Sequence, residues 1–514
     1  MTPISEPDIK ARIARDNPWW AGRAGQMREA SYPRRVYFAP FKDLALNFGV
    51  RRAAVLLGPR RVGKTVMLKQ LAHDAIQGGC DPRCIMYASI DAPIYSGISL
   101  ERFLTLFPSD DGDQRIVMFD EIQYLKDWET HLKDLVDSYP NTKFIASGSA
   151  AAALRLKSKE SGAGRFSEFM LPPLTFAEFL QFRQDEDKLV EPLEGTIGSY
   201  RAKDIDALNV AFVDYLNYGG YPEAVLNKEI RDNPDQFIRN DIIDKVLLKD
   251  LPSLYGIHEI QDLNRLFSFL AYNAGNEASL ENICQGSGIT KPTIKRYIEY
   301  LESAFLIIKL ATVDENCRSL QRERVFKVYL NNPSMRAALF APVQANEAEK
   351  IGHLAESAVF SQWQHSNGFR HLRYARWRNE GEVDVVFLSR EGRPSWMGEI
   401  KWSDRIRDTG SRELKSLLVL RQNHRKTITQ AFFTTRTFSD ELGFAVDGLP
   451  VQVTPTALYC YTVGKNATKT RSRLPAPGMT LPTPALDDDE EDIDWDDIDV
   501  LEDDDDEDKE NGEP

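Results

Sequence analysis

Short apolar runs with little polar alternation punctuate the first third of the chain: AAVLL at 53–57, CIMYASI at 84–90, RIVMFD at 115–120 and TKFIAS at 142–147. Such runs predict strands buried on both faces, as in a parallel sheet covered by helices. Helical patterns over 65–77 and 128–138 complete βαβ units, so residues 34–183 read as one α/β domain. Residues 1–33 precede it as an N-terminal arm, with Trp19 and Trp20 as docking aromatics. Residues 184–255 read as a charged surface excursion followed by a mostly helical stretch. Residues 256–335 contain a helix–turn–helix pattern. In it Gly286 and Gly288 free the turn, Thr290 caps the second helix, and Ile294, Ile298 and Leu301 recur on one face. A second α/β region spans 336–462, a proline-containing linker 463–486, and a disordered acidic tail 487–514.

At 514 residues the chain should hold three or four domains. Its formal charge of −14 is concentrated: 487–514 hold 19 acids and one lysine, leaving 63 basic against 59 acidic residues in the body. The five scattered cysteines form no C-x-x-C pair, which argues against a disulfide framework or zinc site and for a reducing compartment. The N-terminus lacks an apolar signal core, and no apolar run reaches the ~20 residues of a membrane span. The expectation is a cytoplasmic protein with no membrane segment.

GPRRVGKT at 58–65 follows the first strand and opens a helix, matching the phosphate-loop pattern in full. Gly58 and Gly63 allow the turns that aim backbone N–H groups at phosphate oxygens. The cradle runs through Gly58, Pro59, Arg60, Arg61, Val62, Gly63, Lys64, Thr65 and Val66. Lys64 would reach the β- and γ-phosphates, and Thr65 would offer its hydroxyl to magnesium. Asp120 ends a buried strand and would hold that magnesium, while Glu121 would orient and deprotonate the attacking water. The expected cofactors are therefore ATP and Mg2+. Ser147 could sense the γ-phosphate; Ser149 could do the same or cap a helix. Arg165 is either a finger presented to a neighbouring subunit's nucleotide, implying a homo-oligomer, or a solvated arginine.

With these residues in place the chain resembles a family of prokaryotic AAA-type ATPases. The likeness rests on Gly58–Thr65, the DEIQ of Asp120–Gln123, Ser147–Ser149 and the Gly164–Phe179 segment. Further on, YLNYGGYPEAV at 215–225, KVYLNNPSMRAAL at 327–339 and GHLAESAVF at 352–360 resemble landmarks of the same family. Ala146-Ser147-Gly148-Ser149 stands where that family usually shows Thr-Gly-Ser. The resemblance covers roughly 35–460. It implies an AAA-type P-loop ATPase domain with a helical lid, a winged helix-turn-helix and a C-terminal restriction-endonuclease-like α/β domain.

Two strands joined by a turn, GEVDVVFLSREGRPSWMGEIKW at 381–402, carry the candidate chemistry of the last domain. Glu399 and Lys401 share a strand face. Asp384 and Glu399 could hold a metal, with Glu356 on an upstream helix as a further acid and Lys401 polarising the attacking water. The alternative is a nuclease-like fold that cuts nothing. Lys291, Lys295 and Arg296 near the start of the second helix suit DNA, although such modules also dock proteins. The tail either stays solvated or covers a basic groove in cis. Two functions remain open: an ATP-hydrolysing, DNA-associated machine whose nucleotide state controls a nuclease-like C-terminal domain, and an ATP-dependent switch acting on DNA or a protein without cutting.

Overall fold

In the computed structural model, the described residues are 5–23, 27–108, 114–149, 164–193, 198–233, 235–318, 325–377, 381–439 and 443–470. The acidic tail lies outside them, as does the expected linker from 471 onward.

The first unit is a five-stranded sheet of β1 (Ala53–Leu57), β2 (Ile85–Ser89), β3 (Arg115–Asp120), β4 (Thr142–Gly148) and β5 (Phe166–Met170). Its order is β2-β3-β4-β1-β5, and all pairs are parallel. Successive side chains feed two cores: Ala54, Leu56, Ile85, Tyr87 and Met118 pack on one face, and Ala53, Val55, Leu57, Met86 and Phe119 on the other. Burial on both faces is why these strands show so little alternation. The helices Lys64–Gln77 and Trp128–Ser138 stand where the pattern placed them.

The segment after 183 is not a free excursion. A hairpin of β6 (Val190–Pro192) and β7 (Tyr200–Ala202) leans on the C-terminal helix Thr456–Thr470. Glu186 accepts hydrogen bonds from Tyr461 Oη at 2.7 Å and Lys465 Nζ at 2.6 Å, and Tyr200 meets the Tyr461 ring edge-on. That same helix runs through position 463, where a linker was expected to begin, because Tyr459, Cys460, Tyr461 and Val463 are buried.

Nine further strands form one sheet: β8 (Glu277–Ser279), β9 (Ile307–Val313), β10 (Val325–Leu330), β11 (Leu372–Trp377), β12 (Gly381–Leu388), β13 (Pro394–Glu399), β14 (Gln430–Thr435), β15 (Ala445–Val446) and β16 (Leu449–Pro455). Strand β9 pairs in parallel with β11, so the regions expected as separate domains at 256–335 and 336–462 share a sheet. Periodicity assigns strands but not their partners, so this junction was not readable from the pattern.

The helix Ala348–Trp363 joins the two units. Gln362 accepts from the Phe176 backbone N–H at 2.9 Å and donates to Tyr215 Oη at 2.9 Å, while Tyr37 Oη and His365 Nδ1 lie 2.6 Å apart. One apolar core consequently runs from the first sheet to the last.

Candidate nucleotide site and a C-terminal ionic cluster

The loop after β1 turns because two residues adopt positive φ: Arg61 at 65° and Gly63 at 100°. Gly58 has no room for a side chain, since a Cβ there would stand 2.3 Å from the Leu171 carbonyl oxygen. Lys64 is buried and donates to the Gly58 and Pro59 carbonyls at 3.0 and 2.8 Å. Burial pushes its pKa below the usual lysine value, against the pull of Glu121 and Asp120.

Asp120, at the C-terminal end of β3, collects three hydroxyl donors. Thr65 and Tyr87 each reach Oδ2 at 2.7 Å, and Ser147 reaches Oδ1. Ser147 also accepts from the Glu121 N–H at 3.2 Å, so it sits behind the two acids and braces them. Glu121 holds a positive φ of 54°, and its carboxylate accepts from the Gln123 amide. The donor set fits a magnesium-bound triphosphate: a glycine-turned loop, a buried lysine and a threonine hydroxyl facing an aspartate. Pro59 and Val62 lie in this turn and Val66 in the helix it opens, and the Val62 carbonyl accepts from Arg35 Nη1 at 2.8 Å.

The loop arginines are held by acids from a later part of the chain. Arg60 pairs with Asp250 through two contacts of 2.8 Å, and Arg61 reaches Glu223 at 3.0 Å and Asp241 at 2.9 Å. All three acids lie on the helical stretch after Gly220, which is thereby tied to the phosphate loop. Arg165 stands just before β5, the strand beside β1, but at the N-terminal end of these parallel strands and so at the opposite end from the loop, and it pairs with Asp137 at 2.6 Å. It therefore takes no part in this chain's own site.

At the far end, β12 and β13 pair antiparallel and bring Asp384, Glu399 and Lys401 together. Lys401 Nζ lies 3.0 Å from Asp384 and 2.9 Å from Glu399. Sequence reasoning missed a second cation: Lys327 on β10 is 2.5 Å from Glu382 and 3.9 Å from both Glu356 and Asp384. Its only signal was a lysine inside the apolar run VFKVYL. Glu356 accepts from Tyr329 Oη at 2.9 Å. Burial, then the Asp384 charge, raises the Glu356 pKa to about 7. Asp384 is held down to about 2 by Lys401 and Lys327 against its burial, whereas burial beside Asp384 pushes Glu399 well up.

Glu356, Asp384 and Glu399, the expected metal set, gather around Lys327 and Lys401. Among the described residues no three acid, histidine or cysteine groups stand together as a metal-binding cluster. Two ammonium groups stand among the carboxylates and supply the positive charge.

On the helix Lys291–Ser303, Ile294, Ile298 and Leu301 are buried while Lys291, Lys295 and Arg296 are exposed. Lys291 pairs with Glu281 at 2.6 Å. Thr290 stands at the N-cap, but its hydroxyl meets the Thr293 hydroxyl at 3.0 Å and caps no backbone N–H.

Residues 50–180 match the family model described as an AAA domain. The first unit is thus an AAA-type P-loop domain, and the match supports an ATPase at that general level. Residues 209–347 match a domain of unknown function, DUF8612. An uncharacterized protein of Haemophilus influenzae is 24% identical over 58% of this chain and 72% of its own length. One of Methanocaldococcus jannaschii is 24% identical over 56% of this chain and 63% of its own. A RuvB of Thermotoga maritima overlays with a TM-score of 0.28 and 16% identity, covering 54% of this chain and 93% of that one, a likeness too low to carry an argument. Among the described residues no helix is long and apolar enough to cross a membrane.

Proposed function

We propose that the AAA-type domain binds ATP with magnesium and hydrolyses it, and that the protein works as a nucleotide-dependent switch. The observation that carries this is the Thr65 hydroxyl 2.7 Å from Asp120, beside the buried Lys64 on a glycine-turned loop. Lys64 and the loop amides would hold the β- and γ-phosphates; Thr65 and Asp120 would hold magnesium, which neutralises charge on the phosphates. Glu121 would take the proton of the attacking water once Gln123 releases its carboxylate. Lys64→Ala should abolish ATP binding by calorimetry, and Glu121→Gln should keep binding while slowing turnover at least about a hundred-fold. Binding undiminished by Lys64→Ala overturns the reading.

For the remainder, the geometry favours a switch that acts on DNA or a protein without cutting. Lys327, a cation beyond the lysine that the nuclease reading itself needs, adds positive charge beside Glu356 and Asp384, which such a nuclease would spend on its metal. The order helix, β8, two helices, β9, β10 and the exposed Lys295 and Arg296 support a winged-helix reading of 256–335 and DNA as the partner. Cleavage of any DNA form in Mg2+ or Mn2+ that is lost in Glu399→Ala restores the nuclease reading. Arg165 would serve a neighbouring subunit's nucleotide in a homo-oligomer.

A further inference from the structure

Tyr87 is buried on β2, the edge strand of the first sheet, and its hydroxyl donates to Asp120 Oδ2 at 2.7 Å. In a parallel pair, a residue's N–H and C=O point to the same side. Those of Tyr87 point outward, and the side chain of Asn17 from the N-terminal arm takes both: Oδ1 accepts from the Tyr87 N–H at 2.6 Å, and Nδ2 donates to its carbonyl at 2.8 Å. Lys69 Nζ lies 3.4 Å from the centroid of the Tyr87 ring and donates to the Asp16 carbonyl at 2.8 Å. A phenol is protonated at neutral pH, so the hydroxyl acts on the carboxylate as a donor.

We propose that Tyr87 is a positioning residue that fixes the Asp120 carboxylate for nucleotide-bound magnesium, and that the arm holds Tyr87 there through Asn17. Two of the three hydroxyls on Asp120, Tyr87 and Ser147, belong to neighbouring strands and would not themselves hold the metal. They fix the carboxylate on either side, leaving Thr65 to face the cation. The assignment rests on the phosphate-site reading above and deepens it.

The test reads nucleotide binding and needs no turnover. ATP affinity is titrated against free Mg2+, and separately in EDTA, for wild type, Tyr87→Phe and Asn17→Ala, with a thermal melt of each. Phenylalanine keeps the ring under Lys69 and removes only the hydroxyl. Tyr87→Phe should need about ten-fold more free Mg2+ to reach its half-maximal gain in affinity, as expected for one lost hydrogen bond to a charged group. Its affinity in EDTA should stay within about two-fold of wild type. Asn17→Ala should move the midpoint the same way by about three-fold. A lowered Tm with an unmoved midpoint makes Tyr87 merely structural and overturns the assignment, and so does an equal loss in EDTA. An unmoved midpoint in Asn17→Ala alone overturns the part given to the arm. If wild type gains nothing from Mg2+, the phosphate-site reading itself falls, an outcome distinct from the others.

Discussion

Glu356 gives the most direct handle on the C-terminal cluster, because its carboxyl is raised to about 7 from an ordinary 4.5. The folded state binds that proton more tightly than the unfolded chain does. Its stabilising contribution is therefore complete below about pH 4.5 and is lost as pH rises through 7. The full shift corresponds to about 3 kcal/mol at 1.36 kcal/mol per unit. The side chain keeps 18% exposure, and part of the loss has already occurred at pH 5, so about 2 kcal/mol should remain between pH 5 and 8. Glu356→Gln removes the titration but keeps an oxygen that can accept from Tyr329. Urea unfolding of both proteins in EDTA at pH 5 and pH 8, followed by tryptophan emission, measures the difference. The wild type should lose about 2 kcal/mol more than Glu356→Gln over this interval. Asp384 adds nothing there, since its lowered pKa of about 2 places its loss of stability in strong acid. Equal pH slopes in the two proteins would refute the reasoning, for then the buried carboxyl carries no excess proton affinity.

Gly58→Ala should cut ATP affinity at least ten-fold by calorimetry, because its Cβ would stand 2.3 Å from the Leu171 carbonyl oxygen and the loop must shift. Arg35→Met breaks a buried pair with Glu178, 2.7 Å at its shortest, and frees the Val62 carbonyl of the phosphate loop. Unfolding free energy should fall by about 3–5 kcal/mol, read as a lower denaturation midpoint. Mixing Arg165→Ala with Glu121→Gln protein should restore part of the hydrolysis that each lacks, if the arginine serves a neighbour; a mixture no more active than its components removes that role.

Much of the candidate nucleotide site was legible because its parts are local. The loop, its lysine and its threonine are consecutive, and Asp120 ends an apolar strand that the pattern marks by itself. Gly58 and Gly63 are required by backbone geometry that a short segment already determines. The partners that set the fine geometry come from elsewhere in the chain: Tyr87 and Asn17 from an edge strand and the arm, Arg35 from the segment before the first sheet. Nothing in their local sequence distinguishes a tyrosine that holds an aspartate from one that fills a core. The hairpin acids were found by spacing alone, yet spacing cannot report what stands between them. Lys327 reaches that cluster only because β10 joins the same sheet as β12, a pairing of residues more than fifty positions apart. Short-range periodicity and turn chemistry determine the elements and the phosphate loop. Which strands become neighbours, and so which lysines stand among the three carboxylates, is decided by long-range packing that burial enforces only in the folded chain.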